Sequence, residues 1–330
     1  MGWWQLNADT LAGSRFVVSP LAETLASLCA LAAGTAAHPA EQAWLGAHLP
    51  AYRARLDPVT ALLVDTALGH GWMADFCTPA PAEHERGFAE ELDVVRRTPP
   101  EVALEDVAVS VRGSLPAELY RSDLAGRMAD LLEWVWTRTV LPDWPRRRRV
   151  MEADMIARTA QLGQGGWAAA LEDLRPGMRW LGDSRLRINA RDHPPREISG
   201  ARLLFVPVTP PHAWVAWDEP HRYAVIYPCS GVLAEPERAP VPESLGRLLG
   251  TARAMVLVLL ATPKSTTQLV ALTGQGLGSV GGHLRVLLDA RLVRRRRAGR
   301  SVLYYRTEAG DALVRAQDPS GDVLRHPVPE

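Results

Sequence analysis

The sequence predicts an α+β fold in two parts: a mainly helical N-terminal domain with a small β portion, and a basic C-terminal domain of short helices and a hairpin. Three observations predict it. Apolar residues recur at helical spacing through most of the first 178 residues. From Arg179 short β-prone runs, separated by Pro, Gly and charged turns, take over. Charge then segregates: the 37 basic and 37 acidic residues cancel over 330 positions, yet Ser244 to Ala316 holds twelve Lys and Arg against three Asp and Glu. A compact basic segment on an otherwise acidic chain predicts a polyanionic partner.

The helical part is punctuated by caps and prolines. After a short apolar run at Phe16 to Val18, Ser19 and Pro20 open a helix to about Ala33, the serine capping and the proline filling the first turn. Pro39 to Gly46, Pro58 to Leu68 and Glu83 to Arg97 read as further helices. Pro116 to Val140 is a longer one, with Leu119, Leu124, Met128, Leu131, Leu132 and Val135 near the 3.6 period. The stretch LPDWPRRRRV is expected to break it, Met151 to Gln164 to resume, and Gly165-Gly166 to stop it. RWLGDSRLRI, ARLLFVPVT and YAVIYP are the strands. The expected domains are 1–232 (helical to about 178, β-containing 179–232), a proline-rich linker 233–243, a second domain 244–317 and a tail 318–330.

Within the basic segment, Ser244 to Leu260 is an amphipathic helix and Pro263 marks a break. Ser265 caps a helix from Thr266 to Leu272, TGQG turns, and Leu277 to Ala290 forms a third helix with Leu277, Val280, Leu284, Leu287 and Leu288 available to pack. Leu292-Val293 leads into Arg294–Arg297, Ala298-Gly299 turns, and SVLYYRT returns, so the four arginines belong to a hairpin and not to a tail. Glu308 to Gln317 closes with a helix. This order is that of a winged helix-turn-helix, whose third helix enters a major groove and whose hairpin tip meets the phosphate backbone.

These residues resemble the ArsR class of bacterial transcriptional regulators, over roughly a quarter of the chain: Thr266-Thr267, the cap position at Gly276, His283-Leu284, Ala290-Arg291-Leu292-Val293, Arg297 with Gly299-Arg300, and Tyr304-Tyr305. The resemblance implies a homodimer on double-stranded operator DNA, often a repressor relieved by a ligand. Its DNA-binding residues are Thr266, Thr267, Ser279, His283, Arg285, Arg295, Arg297 and Arg300. This chain departs from the pattern at Gly281-Gly282, where the family often carries Ser-Arg, at Gly276 in place of a serine cap, and at Arg291 in place of glycine. Weaker base readout is the expected consequence. The metal-sensing cysteine pair of some relatives is absent, since no cysteine follows Cys229. The first 230 residues are similar to an uncharacterised domain that precedes such winged helices in actinobacterial regulators, on RFVVSPLAETLASL, the Trp134 to Trp144 stretch, the Met151 to Gly166 helix and LLFVPVT with YAVIYPCSG. That similarity implies a regulatory or dimerisation role.

Enzymatic patterns are missing. His38, His48, His70, His84, His193, His212 and His221 show no metalloenzyme spacing, and there is no G-x-S-x-G. GQGG at 163–166 reads as a helix stop. GQGLGSVGG at 274–282 lacks the strand and acidic residue of a nucleotide fingerprint. No catalytic residue, metal or cofactor is expected. Three scattered cysteines suit a reducing compartment. No leader is read at the start, and the longest apolar window, Ala254 to Ala261, is too short for a membrane span, so the expectation is a cytoplasmic protein. Eleven tryptophans remain. Trp134, Trp136, Trp144, Trp167, Trp180, Trp214 and Trp217 either line an apolar effector pocket, with Trp134, Trp144, Trp167, Trp180 and Trp214 its lining, or fill a core or dimer face. The other arginine run, Arg146–Arg149, is a second DNA contact, a solvated face, or a set of internal ion pairs. The competing function is a winged helix used as a protein-interaction module.

Overall fold

The computed structural model describes residues 2–36, 39–69, 72–111, 114–171, 174–175, 177–189, 194–229, 241–260, 264–298 and 301–316. The chain divides into two compact units, unit 1 (Met1–Met155 with Gly165–Ala234) and unit 2 (Ile156–Gln164 with Glu235–Glu330). Both mix helices with sheet, and helices dominate the N-terminal region.

Unit 1 opens with β1 (Trp3–Gln5), α1 (Ala8–Ala12), β2 (Arg15–Phe16) and α2 (Pro20–Ala33). Ser19 accepts a hydrogen bond from the Ala22 N–H, Pro20 fills the first turn, and Gly34 at φ 63° ends the helix. Next come α3 (Pro39–Arg55), α4 (Pro58–Ala67), α5 (Phe88–Arg96), α6 (Pro100–Ser110) and α7 (Leu124–Val135). The helix expected over Pro116 to Val140 is thus shorter, and a π-type turn at Trp136–Val140 leads on to α8 (Trp144–Leu171). The break expected through Val150 is corrected too: α8 starts before the arginine run. Pro145 lies in its first turn, where a missing N–H costs no hydrogen bond, so the proline starts the helix instead of stopping it. Gly166, at φ 68° and ψ −167°, leaves helical geometry and divides α8 into two helical segments, which is the stop expected at Gly165-Gly166.

The strands are β3 (Arg179–Gly182), β4 (Arg185–Arg187), β5 (Arg196–Glu197), β6 (Arg202–Val208), β7 (Trp214–Asp218) and β8 (Arg222–Pro228). They form two sheets, ordered β3-β4-β1-β5 and β2-β6-β8-β7. β1 and β2 correct the expectation that strands begin at Arg179; two or three residues show no readable alternation, and only the sheets assembled later give them partners. The parallel pair β6·β8 is buried on both faces, and its alternation sorts residues into two cores. Leu204, Val206, Ala224 and Ile226 face the helices. Leu203, Phe205, Tyr223, Val225 and Tyr227 join Trp4, Leu171 and Leu186 in the second core.

One buried acid ties α5 to the start of α2. The carboxylate of Glu91 accepts hydrogen bonds from the Leu21 N–H and the Ser19 hydroxyl, both at 2.9 Å. Burial outweighs these bonds and pushes the carboxyl up to about 7. The folded chain then keeps a proton that the unfolded chain releases near 4.5, so the stability it confers is full below that pH and lost as pH rises through 7. Asp75, pushed up to about 6, acts with the same sign. His48 and His212, held down chiefly by burial, act oppositely but below 6.5. Between about pH 6.5 and 8, stability is expected to fall by roughly 1 kcal/mol. Melting curves across that window should show the slope, and Glu91→Gln should flatten it.

Unit 2 contains α9 (Glu243–Leu249), α10 (Thr251–Leu259), β9 (Lys264–Ser265), α11 (Thr266–Thr273), α12 (Leu277–Asp289), β10 (Val293–Ala298), β11 (Ser301–Arg306) and α13 (Glu308–Arg315). The single helix expected over 244–260 is corrected to two, because Gly250 at φ 81° and ψ 136° interrupts it. Ser265 and Gln268 form a reciprocal capping box on α11, and Gly274 at φ 66° ends it. Val256, Leu257, Leu269, Val280, Leu284, Leu287 and Val293 make the core. The sheet order is β10-β11-β9. The expected linker up to residue 240, Pro263, the hairpin tip at Gly299 and Arg300, and the tail lie outside the described residues.

α12 ends in a Schellman motif: the Leu292 N–H donates to the Leu287 carbonyl and the Arg291 N–H to that of Leu288. Arg291 itself sits at φ 57°, a left-handed position that suits glycine. Arg291→Gly is therefore expected to stabilise unit 2 by about 0.5–1 kcal/mol, the relieved strain exceeding the added unfolded-state entropy. Urea unfolding checks it. The next helix packs tightly on this corner, since a Cβ at Gly310 would collide with the Leu292 carbonyl.

Candidate functional site

In unit 2 the sequence directs attention to α12 and the β10–β11 hairpin. Helical spacing turns Val280, Leu284 and Leu287 inward and leaves Ser279, Gly281, Gly282 and Arg285 exposed. Ser279 donates to Gln275 Oε1 at 3.1 Å and lies 3.3 Å from His283 Nε2, which is half-buried. A Cβ at Gly281 or Gly282 would meet no atom within 4 Å, so these glycines relieve no crowding and leave a bare patch in the middle of the helix. Thr266 is half-buried in the first turn of α11. The side chains of Thr267 and Arg297, and the whole of Arg300, lie outside the described residues.

The hairpin pairs Arg294 with Tyr305, Arg295 with Tyr304, Arg296 with Leu303 and Arg297 with Val302. Arg294, Arg295 and Arg296 are exposed. Strand alternation places Arg294 and Arg296 on one face and Arg295 on the other. The Arg294 guanidinium lies 5.7 Å from the Tyr305 ring centroid. Among the described residues, the ion pairs Arg247–Glu243 and Arg306–Asp311 use neither face of the run.

The other arginine run is internal. Arg146 pairs with Asp143, and Arg148 with Glu85 and Glu152. Arg147 is fully buried and meets the equally buried Glu23 of α2 at 2.6 Å. It also donates to Ser27 (3.0 Å) and Thr209 (3.2 Å), and its guanidinium sits 5.5 Å from the Trp44 ring centroid. The Thr209 N–H and hydroxyl both donate to Glu23. Burial raises the Glu23 carboxyl, and Arg147 opposes that rise. Of the alternatives open in the sequence, internal ion pairing accounts for Arg146–Arg148; Arg149 is exposed.

The tryptophans do not gather as a pocket of Trp134, Trp144, Trp167, Trp180 and Trp214. Trp134, Trp136 and Trp144 pack on the helical core, with Phe88 stacked on Trp136 at 4.6 Å. Trp167 and Trp180 pack on the second core, Trp167 against Phe205. They fill space, as large apolar side chains in a helical domain do. Trp214 alone of those five lines a cleft of about 1050 Å³ within unit 1, where it joins Trp3, Trp4, Trp72 and Trp217. Asp65, Asp75, Arg175, Arg196 and His212 supply its charged and polar wall. Trp217 was legible as a candidate in the sequence; Trp3, Trp4 and Trp72 were not, because only the β1 pairing and the turn after α4 bring them there. Cys29 also lines the cleft, and burial pushes its thiol up to about 12, which disfavours the thiolate. Among the described residues, no group of three His, Cys, Asp or Glu could hold a metal, and no helix is long and apolar enough to cross a membrane.

Comparisons with known protein families, with curated proteins and with solved structures return no match for this chain.

Proposed function

We propose that this chain is a DNA-binding transcriptional regulator, acting as a homodimer through a winged helix-turn-helix in unit 2 and responding to a small-molecule effector. The observation that carries the reading is the hairpin β10–β11, which holds Arg294–Arg296 exposed beside a sheet that follows directly on α12. An arginine-edged hairpin after two helices joined by a tight turn suits a duplex, with α12 in the major groove and the arginines on phosphates. The basic excess between Ser244 and Ala316 supports it, as does the resemblance to ArsR-class regulators. Titration of fluorescent duplexes from the gene's own upstream region, against a scrambled duplex, tests it. Absence of salt-dependent binding to either duplex would sink the proposal, and a monomer on DNA by light scattering would remove the homodimer from it.

A second reading has its own observation. α12 exposes Leu277 (63%) and Val286 (42%) around the bare Gly281-Gly282 patch, a surface suited to protein contact. Under that reading no duplex binds, and the arginines are dispensable.

A further inference from the structure

The cleft in unit 1 is lined by indoles and by charged side chains, and its wall has a definite chemistry. We propose that it is a binding site for a lipophilic organic cation of drug size, an aromatic quaternary ion or protonated amine. As a binding site it stands independently of whether unit 2 meets DNA; only its role as the effector site rests on that reading.

Three observations select this class. The volume, about 1050 Å³, admits a drug-sized molecule. Five indoles line it, and the faces of indole rings attract cations. One of these faces already holds a cation: the Arg196 guanidinium stands 4.1 Å from the Trp217 ring centroid, and Trp72 packs against the same indole at 5.4 Å. The charges agree. Asp75 is largely withdrawn from water, takes a hydrogen bond from Trp217 and faces the repulsion of Asp106 on α6. Arg196 offsets it only in part, because that guanidinium is also ion-paired with Glu219. A cation bound near Asp75 would supply the missing counter-charge, whereas an anion would meet Asp75 and Asp65. Arg175 and Arg196 are the lining guanidinium groups that favour the opposite charge, Arg196 being offset by its pair with Glu219.

Tetraphenylphosphonium and tetraphenylborate share a shape and differ in sign, so titration calorimetry of the full chain with each, in the absence of DNA, separates the two cases. The phosphonium is expected to bind with 1:1 stoichiometry, about ten-fold or more tighter than the borate. Asp75→Asn should weaken the phosphonium about ten-fold and narrow the gap. Asp65→Asn, at an exposed position on α4, carries little folding risk and should narrow the gap in the same direction. A borate that binds as tightly as the phosphonium, a phosphonium indifferent to both substitutions, or no binding of either ion by the folded chain would each overturn the proposal. None of these outcomes depends on DNA binding.

Discussion

Arg147→Ala is expected to destabilise unit 1 by about 3–5 kcal/mol, the largest loss of any single substitution considered. The reason is what remains behind. Glu23 is fully buried on α2 and would lose its ion-pair partner Arg147, while Ser27 and Thr209 lose a donor. A carboxylate left alone in an apolar core takes up a proton or draws in water, and either response costs most of what the pair had offset. The pair itself is no large net gain, because desolvating two ions consumes much of their attraction. The double variant Glu23→Leu with Arg147→Met is therefore expected to recover more than half of the loss. Urea unfolding followed by tryptophan fluorescence measures both. If the double variant were as unstable as Arg147→Ala, the cost would belong to packing around Trp44 and not to the orphaned charge.

Two runs of four arginines illustrate how far the sequence can be read. In a helix, consecutive side chains step by about 100°, so a run of four covers most of the circumference and one member turns inward. Arg147 is that member, and nothing in its neighbours marks it; only the arrival of Glu23, remote in sequence, makes its burial affordable. In a hairpin the period is two, and beyond the buried Val293 both faces of the strand stay open. That exposure was legible because Leu292-Val293 and the Ala298-Gly299 turn bracket the run. The same contrast holds for the fold. Ser19-Pro20, the cap at Ser265, and the apolar runs of β6 and β8 act on their immediate neighbours, and sequence reveals them. β1, β2, the break at Gly250 and the helix start at Pro145 are settled by distant partners or by which of two local roles tertiary packing selects. The cleft belongs to this second group, since Trp3, Trp72 and Trp214 meet only once sheets and helices are in place.

Under the proposed function, removing Arg294, Arg295 and Arg296 together is expected to weaken duplex binding on the order of a hundred-fold at low salt, and to do so equally for operator and scrambled DNA. Phosphate contacts carry no sequence information, so the ratio between the two duplexes should hold while both affinities fall. The salt dependence reports how the hairpin sits. Each arginine on a phosphate contributes about 0.9 to the slope of log affinity against log salt. Alternation puts Arg295 opposite Arg294 and Arg296, so a hairpin lying flat on one strand loses about one or two from that slope, and one seated within a groove loses close to three. Arg285→Ala on α12 is the contrasting case: if its guanidinium reads a base, it costs about 1–3 kcal/mol on the operator and little on scrambled DNA. With Gly281 and Gly282 offering no side chain, Arg285 and Ser279 are the exposed polar groups left in the middle of that helix to do so. A triple variant that keeps the wild-type slope would remove the hairpin from the interface and leave the protein-contact reading in its place.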